Sequence, residues 1–129
     1  MKEYTVKTHS RVEFVNIDRE VQDAIKASGV SEGVCVIFVP HTTAAVTINE
    51  NADPAVVRDI IMKMGKLIPE NEGYAHMEGN SDAHIKSSLI GCAQTLIVSG
   101  GRPSLGVWQS VFFCEFDGPR TRKVRIEVK

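Results

Sequence analysis

The sequence has no apolar run approaching the ~18–20 residues of a membrane-spanning helix. Its longest, Val34 to Val39, is stopped by Pro40. The opening Met1-Lys2-Glu3-Tyr4-Thr5-Val6 lacks the apolar stretch of a signal peptide. There is no excess of charge of either sign: 15 Lys and Arg stand against 16 Asp and Glu, a net charge of -1. A general nucleic-acid binder, usually basic, is therefore not expected. Cysteine is scarce. Cys35, Cys92 and Cys114 are odd in number, far apart and form no C-x-x-C pair. They read as small buried hydrophobes in a reducing cytoplasm rather than as disulfide or zinc partners. Neither G-x-G-x-x-G nor a Walker sequence occurs, which weakens nucleotide-binding folds. Repeats and low-complexity tracts are absent too. What is present, 129 residues with 43% apolar and 24% charged, suits one globular domain over residues 1–129 with a real core.

Along the chain, period-two alternation predicts strands at 4–8 and 12–16. Asp18 then reads as the N-cap of a helix over 18–28, with Val21, Ala24 and Ile25 on its apolar face and Gly29 as a left-handed stop. The run 33–39 is short and β-rich, which predicts a buried central strand. Another strand follows at 44–49. Asp53-Pro54 opens a second helix whose stripe is Val56, Val57, Ile60, Ile61, Met64 and Leu67. Residues 70–80 are polar and form the longest connection, a common place for function. A short helix at 81–90 and strands at 95–99, 107–115 and 123–128 complete a pattern of about seven strands and three helices. Strands adjacent to strands at both ends imply an α+β fold with mainly antiparallel sheets in a sandwich-like arrangement.

Three loops carry residues that ordinary solvated loops do not. They are Pro40-His41-Thr42-Thr43, the segment from His76 to His84, and Asp117-Gly118-Pro119-Arg120. Imidazole and carboxylate suit zinc and similar divalent ions, and histidine also suits acid–base work near neutrality. His84 falls in the first turn of a helix, where free amides favour an anion such as phosphate. His76 can fold back beside it, although the eight-residue spacing is not a standard zinc pattern. His41 leaves a strand end beside two hydroxyls. His9 has no such neighbours and reads as a solvated turn residue. Arg120, on a rigid turn, suits bidentate capture of carboxylate or phosphate. Trp108, with Gln109, opens an apolar strand and reads more readily as core than as a stacking platform.

These residues also form recognisable motifs. Pro40-His41-Thr42-Thr43-Ala44-Ala45 with Asn49-Glu50-Asn51-Ala52-Asp53-Pro54 resembles the first signature of the YjbQ family. Gly79-Asn80-Ser81-Asp82-Ala83-His84-Ile85-Lys86 resembles the second. Gly106-Val107-Trp108-Gln109 with Glu115-x-Asp117-Gly118-Pro119-Arg120-x-Arg122 resembles the third. The resemblance runs end to end. It implies an α+β sandwich assembled as a homotrimer and a secondary thiamine-phosphate synthase activity. It also implies a site near subunit contacts that gathers histidines around a metal ion or anion. Carried over, His41, His84, Glu115 and Arg120 become the catalytic set. Thr42, Thr43, Asn80, Trp108, Gln109 and Arg120 become substrate contacts. His41, His76 and His84 become ligands of a divalent metal, zinc or magnesium. Asp82 stands where the family varies, histidine included; an acid there adds a ligand or favours the helix dipole.

Three functions compete on this reading. The first joins hydroxymethylpyrimidine diphosphate to thiazole phosphate. Against it, the several acidic ligands usual for magnesium are not evident. The second is metal-assisted hydrolysis of a small phosphorylated or carbonyl compound, since three histidines suit zinc. The third is a non-enzymatic trimeric ligand-binding protein. All three expect a cytoplasmic protein without nucleic-acid or membrane partners.

Overall fold

The computed structural model describes all of Met1–Lys129. Eight strands and three helices follow in the order β1 (Lys2–Lys7), β2 (Glu13–Asn16), α1 (Asp18–Ser28), β3 (Gly33–Phe38), β4 (Ala44–Glu50), α2 (Pro54–Leu67), α3 (Ser81–Ile90), β5 (Ala93–Ser99), β6 (Arg102–Pro103), β7 (Gln109–Glu115) and β8 (Thr121–Val128). They build a five-stranded sheet in the order β1-β8-β3-β5-β6 and a three-stranded sheet in the order β2-β7-β4. Every pairing is antiparallel. The expected α+β sandwich is the fold observed.

The inner faces of the two sheets enclose the main core. Cys35 and Ile37 of β3, Val124 and Ile126 of β8, and Val111 and Phe113 of β7 meet there, closed at one side by Val21, Ala24 and Ile25 of α1. The outer face of the small sheet carries a second core, in which Ala45, Phe112, Cys114 and Phe116 pack against Ala83 of α3 and, at its margin, Val57 and Met64 of α2. Strand β7 is thus covered on both faces. Its residues from Ser110 to Glu115 are all buried.

Four details differ from the sequence expectation. Strand β3 is central in its sheet, yet only Cys35 and Ile37 are buried; Val34, Val36 and Phe38 face outward and remain exposed. An unbroken apolar run marks a strand that wants cover on both faces, and one chain supplies cover for one. Helix α1 starts after Ile17, so Asp18 is its first residue and not its cap. The Asp18 carboxylate instead accepts from the Val111 amide across to β7. Cys35 and Cys114 are buried as expected, whereas Cys92 is exposed, because it lies in the turn between α3 and β5. The eighth strand, β6, is only two residues long and pairs with the end of β5. Asp53 caps α2 as expected, accepting from the Ala55 amide with Pro54 at the first helical position. No helix is long and apolar enough to cross a membrane.

Candidate functional site

The sheet registers bring one end of the sandwich together. Ala44 at the start of β4 lies opposite Glu115 at the end of β7, and Arg122 near the start of β8 lies opposite Val6 near the end of β1. The 40–43 loop, the 117–120 turn and the N-terminus of α3 therefore converge there. They line an open cleft of about 510 Å³ whose lining is polar apart from Pro40, in which His41, Thr42, His76, Asn80, His84 and Arg120 meet Glu78, Asp117 and Arg122.

A buried ion pair forms its floor. The Arg122 guanidinium donates to both oxygens of Glu115 and to Thr43 Oγ1. The Glu115 carboxylate also accepts from Thr8 Oγ1 and the Asp117 amide. Burial by itself pushes this carboxyl up, but the hydrogen bonds from Arg122, Asp117 and Thr8 outweigh it and hold it below its ordinary 4.5. Glu115 is fully buried and does not line the cleft. It anchors Arg122, and through Thr8 and Asp117 it fixes the turn that presents Arg120. Gly118 makes that turn possible. Its amide donates to the Arg11 carbonyl, and a methyl group there would run into the Ser10 carbonyl oxygen.

At the rim, Arg120 donates through Nε to the Asp117 carbonyl at 2.7 Å and through Nη2 to the Asp117 carboxylate at 3.0 Å. Nη1 has no partner in the chain and lies free for a ligand. The same Asp117 oxygen accepts from Asn80 Nδ2. Asn80 Oδ1 is left buried without a partner, and an orphaned acceptor of this kind calls for a donor on a ligand or water.

His41 is held from below. The Lys123 amide donates to its Nε2 at 2.9 Å. A ring nitrogen that accepts an amide proton carries none itself, so the neutral ring bears its proton on Nδ1. Burial first, and then the positive charge of Arg122, hold the imidazole below its ordinary 6.5. Nδ1–H is thus the donor that this lining residue has left. The other two histidines pair: the rings of His76 and His84 meet edge to face with centroids 5.5 Å apart. Glu78 sits 3.7 Å from His76 Nε2, with its side chain 73% exposed at the outer rim.

The structure therefore joins His41, His76, His84, Thr42, Asn80 and Arg120 in one place. Thr43 is buried and serves the floor. Trp108 and Gln109 lie outside the cleft. Trp108 is 64% exposed rather than core, and the Gln109 side chain accepts from the Gly106 amide. His9 is a turn residue with its side chain 80% exposed. Asp82 neither joins the cleft nor stands free. It is fully buried between Arg11 and Lys86, accepting from both. Arg122, Asp117 and Glu78 line the cleft without having been expected as site residues, although all three fall in the loops and motifs singled out from the sequence.

For a divalent metal the fit is incomplete. No three His, Cys, Asp or Glu side chains gather tightly enough to hold an ion. Zinc needs nitrogen ligands within about 2.0–2.1 Å, while the Nε2 of His41 is already engaged by Lys123. Both guanidinium groups of the cleft are already ion-paired, Arg120 with Asp117 and Arg122 with Glu115.

The comparisons with known proteins agree with the motifs. A family model described as "UPF0047 protein YjbQ-like" matches residues 2–129. A UPF0047 protein of Methanocaldococcus jannaschii is 55% identical over 125 residues, covering 97% of this chain and 91% of its own. The UPF0047 protein YugU of Bacillus subtilis is 47% identical over 129 residues, covering 99% and 98%. The crystal structure of an uncharacterized conserved protein of the YjbQ/UPF0047 family from Clostridium acetobutylicum superposes with a TM-score of 0.98 at 50% identity over 100% of both chains. A protein of unknown function from Sulfolobus solfataricus superposes with a TM-score of 0.94 at 31% identity, over 98% of this chain and 94% of its own.

Proposed function

The chain belongs to the YjbQ-like UPF0047 family, and on that premise we propose that its polar cleft binds a small phosphorylated compound and acts on it by transfer. The observation that carries this is the convergence of Arg120, with a free guanidinium nitrogen, on a cleft that is lined also by His41 and Thr42 and is polar apart from Pro40. Planar guanidinium groups match phosphate oxygens in charge and geometry. The case rests on directed donors rather than on net charge, because each guanidinium is already ion-paired. Asp117 is engaged by Arg120 and Asn80, and Glu78 stands at the solvent rim.

The specific reaction proposed is of the thiamine-phosphate synthase type. The carbon–oxygen bond of hydroxymethylpyrimidine diphosphate breaks, and its electron pair leaves on the diphosphate. The lone pair of the thiazole-phosphate nitrogen forms the new carbon–nitrogen bond. The demand on the protein is to stabilise charge that grows on the leaving oxygen. Arg120 and the Nδ1–H of His41 face that demand, with Arg122 behind them. No step here is routed through a metal. The three cysteines are free, in keeping with a reducing cytoplasm, and a homotrimer is proposed on the exposed apolar face of β3.

Calorimetry with inorganic diphosphate, on protein first treated with EDTA, tests the binding. Saturable binding is expected, weakened about tenfold in Arg120→Gln, the scale of one charge-assisted hydrogen bond. No binding, or a full dependence on added zinc or magnesium, rejects the anion cleft. Incubation with both thiamine precursors tests the reaction. Binding without product would leave a ligand-binding protein in place of a transferase.

A further inference from the structure

The cleft does not end at the histidines. Beyond His41, Thr42 and His84 it opens into a second lobe of about 490 Å³, lined by Ala44 of β4, Ser87 and Ser88 of α3, and Gly91 and Cys92 of the turn that follows. The three shared residues form the boundary between two spaces of nearly equal size. Their chemistry differs sharply. The first lobe holds Glu78, Asp117, Arg120 and Arg122. The second holds no ionised side chain apart from what the boundary histidines carry.

One polar atom of a residue that lines the second lobe is unaccounted for. Ser87 is 7% exposed, and its Oγ has no hydrogen-bond partner in the chain. The neighbouring groups are already engaged. Ser88 Oγ donates to the His84 carbonyl, the Gly91 carbonyl accepts from the Val46 amide, and the Cys92 carbonyl accepts from the Val39 amide. A buried hydroxyl without a partner costs free energy unless a ligand or water meets it. A serine in a helix interior ordinarily bonds back to a carbonyl of the preceding turn, and Ser87 does not.

We infer that the second lobe is a subsite for the uncharged, hydrogen-bonding body of the ligand, so that the site as a whole takes a phosphate ester whose charged head and neutral body lie on opposite sides of His41 and His84. This rests on the proposed anion cleft and adds to it a place for the body of the ester, in the lobe lined by Ser87, Ser88 and Cys92. The bond between head and body then lies at the boundary formed by His41, Thr42 and His84.

Cys92 supplies the readout, being the one exposed thiol of three. The unmodified protein is alkylated with iodoacetamide and the rate at Cys92 followed by mass spectrometry, with buried Cys35 and Cys114 as internal controls. Inorganic phosphate is expected to bind without slowing the reaction. Ribose 5-phosphate and hydroxymethylpyrimidine monophosphate are expected to bind more tightly than phosphate and to slow Cys92 at least tenfold. The phosphate-free pyrimidine alcohol, at high concentration, is expected to slow it also. Ser87→Ala is expected to weaken the esters about fivefold and leave phosphate unchanged. The exposed Ser88→Leu is expected to fill the lobe and abolish the protection. Esters that bind no tighter than phosphate, or that leave Cys92 as reactive as before, overturn the subsite. Phosphate that fails to bind while the alcohol protects Cys92 rejects the anion reading and keeps the second lobe. Failure of every probe rejects both.

Discussion

At the scale of single residues, one hydrogen bond decides what His41 can offer. The Lys123 amide on Nε2 gives His41 one tautomer. In 15N-labelled protein at pH 7, His41 is expected to show a neutral ring protonated at Nδ1, and a ring protonated at Nε2 would refute this. Asn reproduces a donor at the Nδ1 position and Gln does not, so His41→Asn is expected to keep more diphosphate affinity than His41→Gln. The same ring shapes acid stability. Its folded affinity for protons lies below the ordinary 6.5. As pH falls through that value the unfolded chain gains a proton that the folded chain refuses, and stability declines until the folded ring also titrates. Glu115 and Asp82 add a second decline. Both carboxyls lie below their ordinary 4.5 and 3.8 when folded, so the stability they give is present above those values and lost as pH falls through the folded ones. Urea unfolding from pH 8 to pH 3 should therefore show two descending limbs. His41→Asn should remove only the upper one.

At the scale of elements, α3 is held by charge more than by an apolar stripe. Of its ten residues only Asp82, Ala83, Lys86 and Ser87 are buried, and two of these are charged. Burial opposes ionisation of Asp82, and the bonds from Arg11 and Lys86 overcome it. Removing one member of such a group strands the other charges. Asp82→Ala is expected to cost about 3–5 kcal/mol by denaturant unfolding, and to loosen diphosphate binding because His84 rides on that helix and Asn80 immediately precedes it. A loss below about 1 kcal/mol would mean that the triad is wet and does not hold α3. The 117–120 turn is fixed by close packing instead. Gly118→Ala would press a methyl group on the Ser10 carbonyl, with an expected cost of about 1–3 kcal/mol.

At the scale of the whole molecule, the chain leaves apolar surface uncovered. Val34, Val36 and Phe38 of β3 stand beside Ile97 of β5, paired Val34 to Ile97 in register, on the outer face of the large sheet. Helix α2 has no fully buried residue, and Leu67 and Met62 are exposed. Contiguous apolar patches of this kind mark association surfaces. Light scattering after size-exclusion chromatography is expected to give a trimer, and Val36→Lys to shift it towards monomer. A wild-type monomer at micromolar concentration would reject the proposal.

Much of this was legible in the residues themselves. Alternation at 4–8 and 123–128, the Asp53-Pro54 start and the Gly29 stop located elements correctly, because period and caps are local consequences of backbone geometry. The histidine and arginine loops were legible as well, since such residue types are uncommon in solvated turns. What the sequence alone determined, then, is the elements, the α+β class and the family to which its motifs belong. Only the tertiary structure decided that Glu115 lies beneath the cleft and not in it, that the Lys123 amide fixes the proton of His41 on Nδ1, that Asp82 pairs with Arg11 seventy-one residues away, and that the cleft has two lobes. These depend on sheet register, which sets residues far apart in the chain side by side. Periodicity within a strand records which face is buried, but not which distant side chain will be found there.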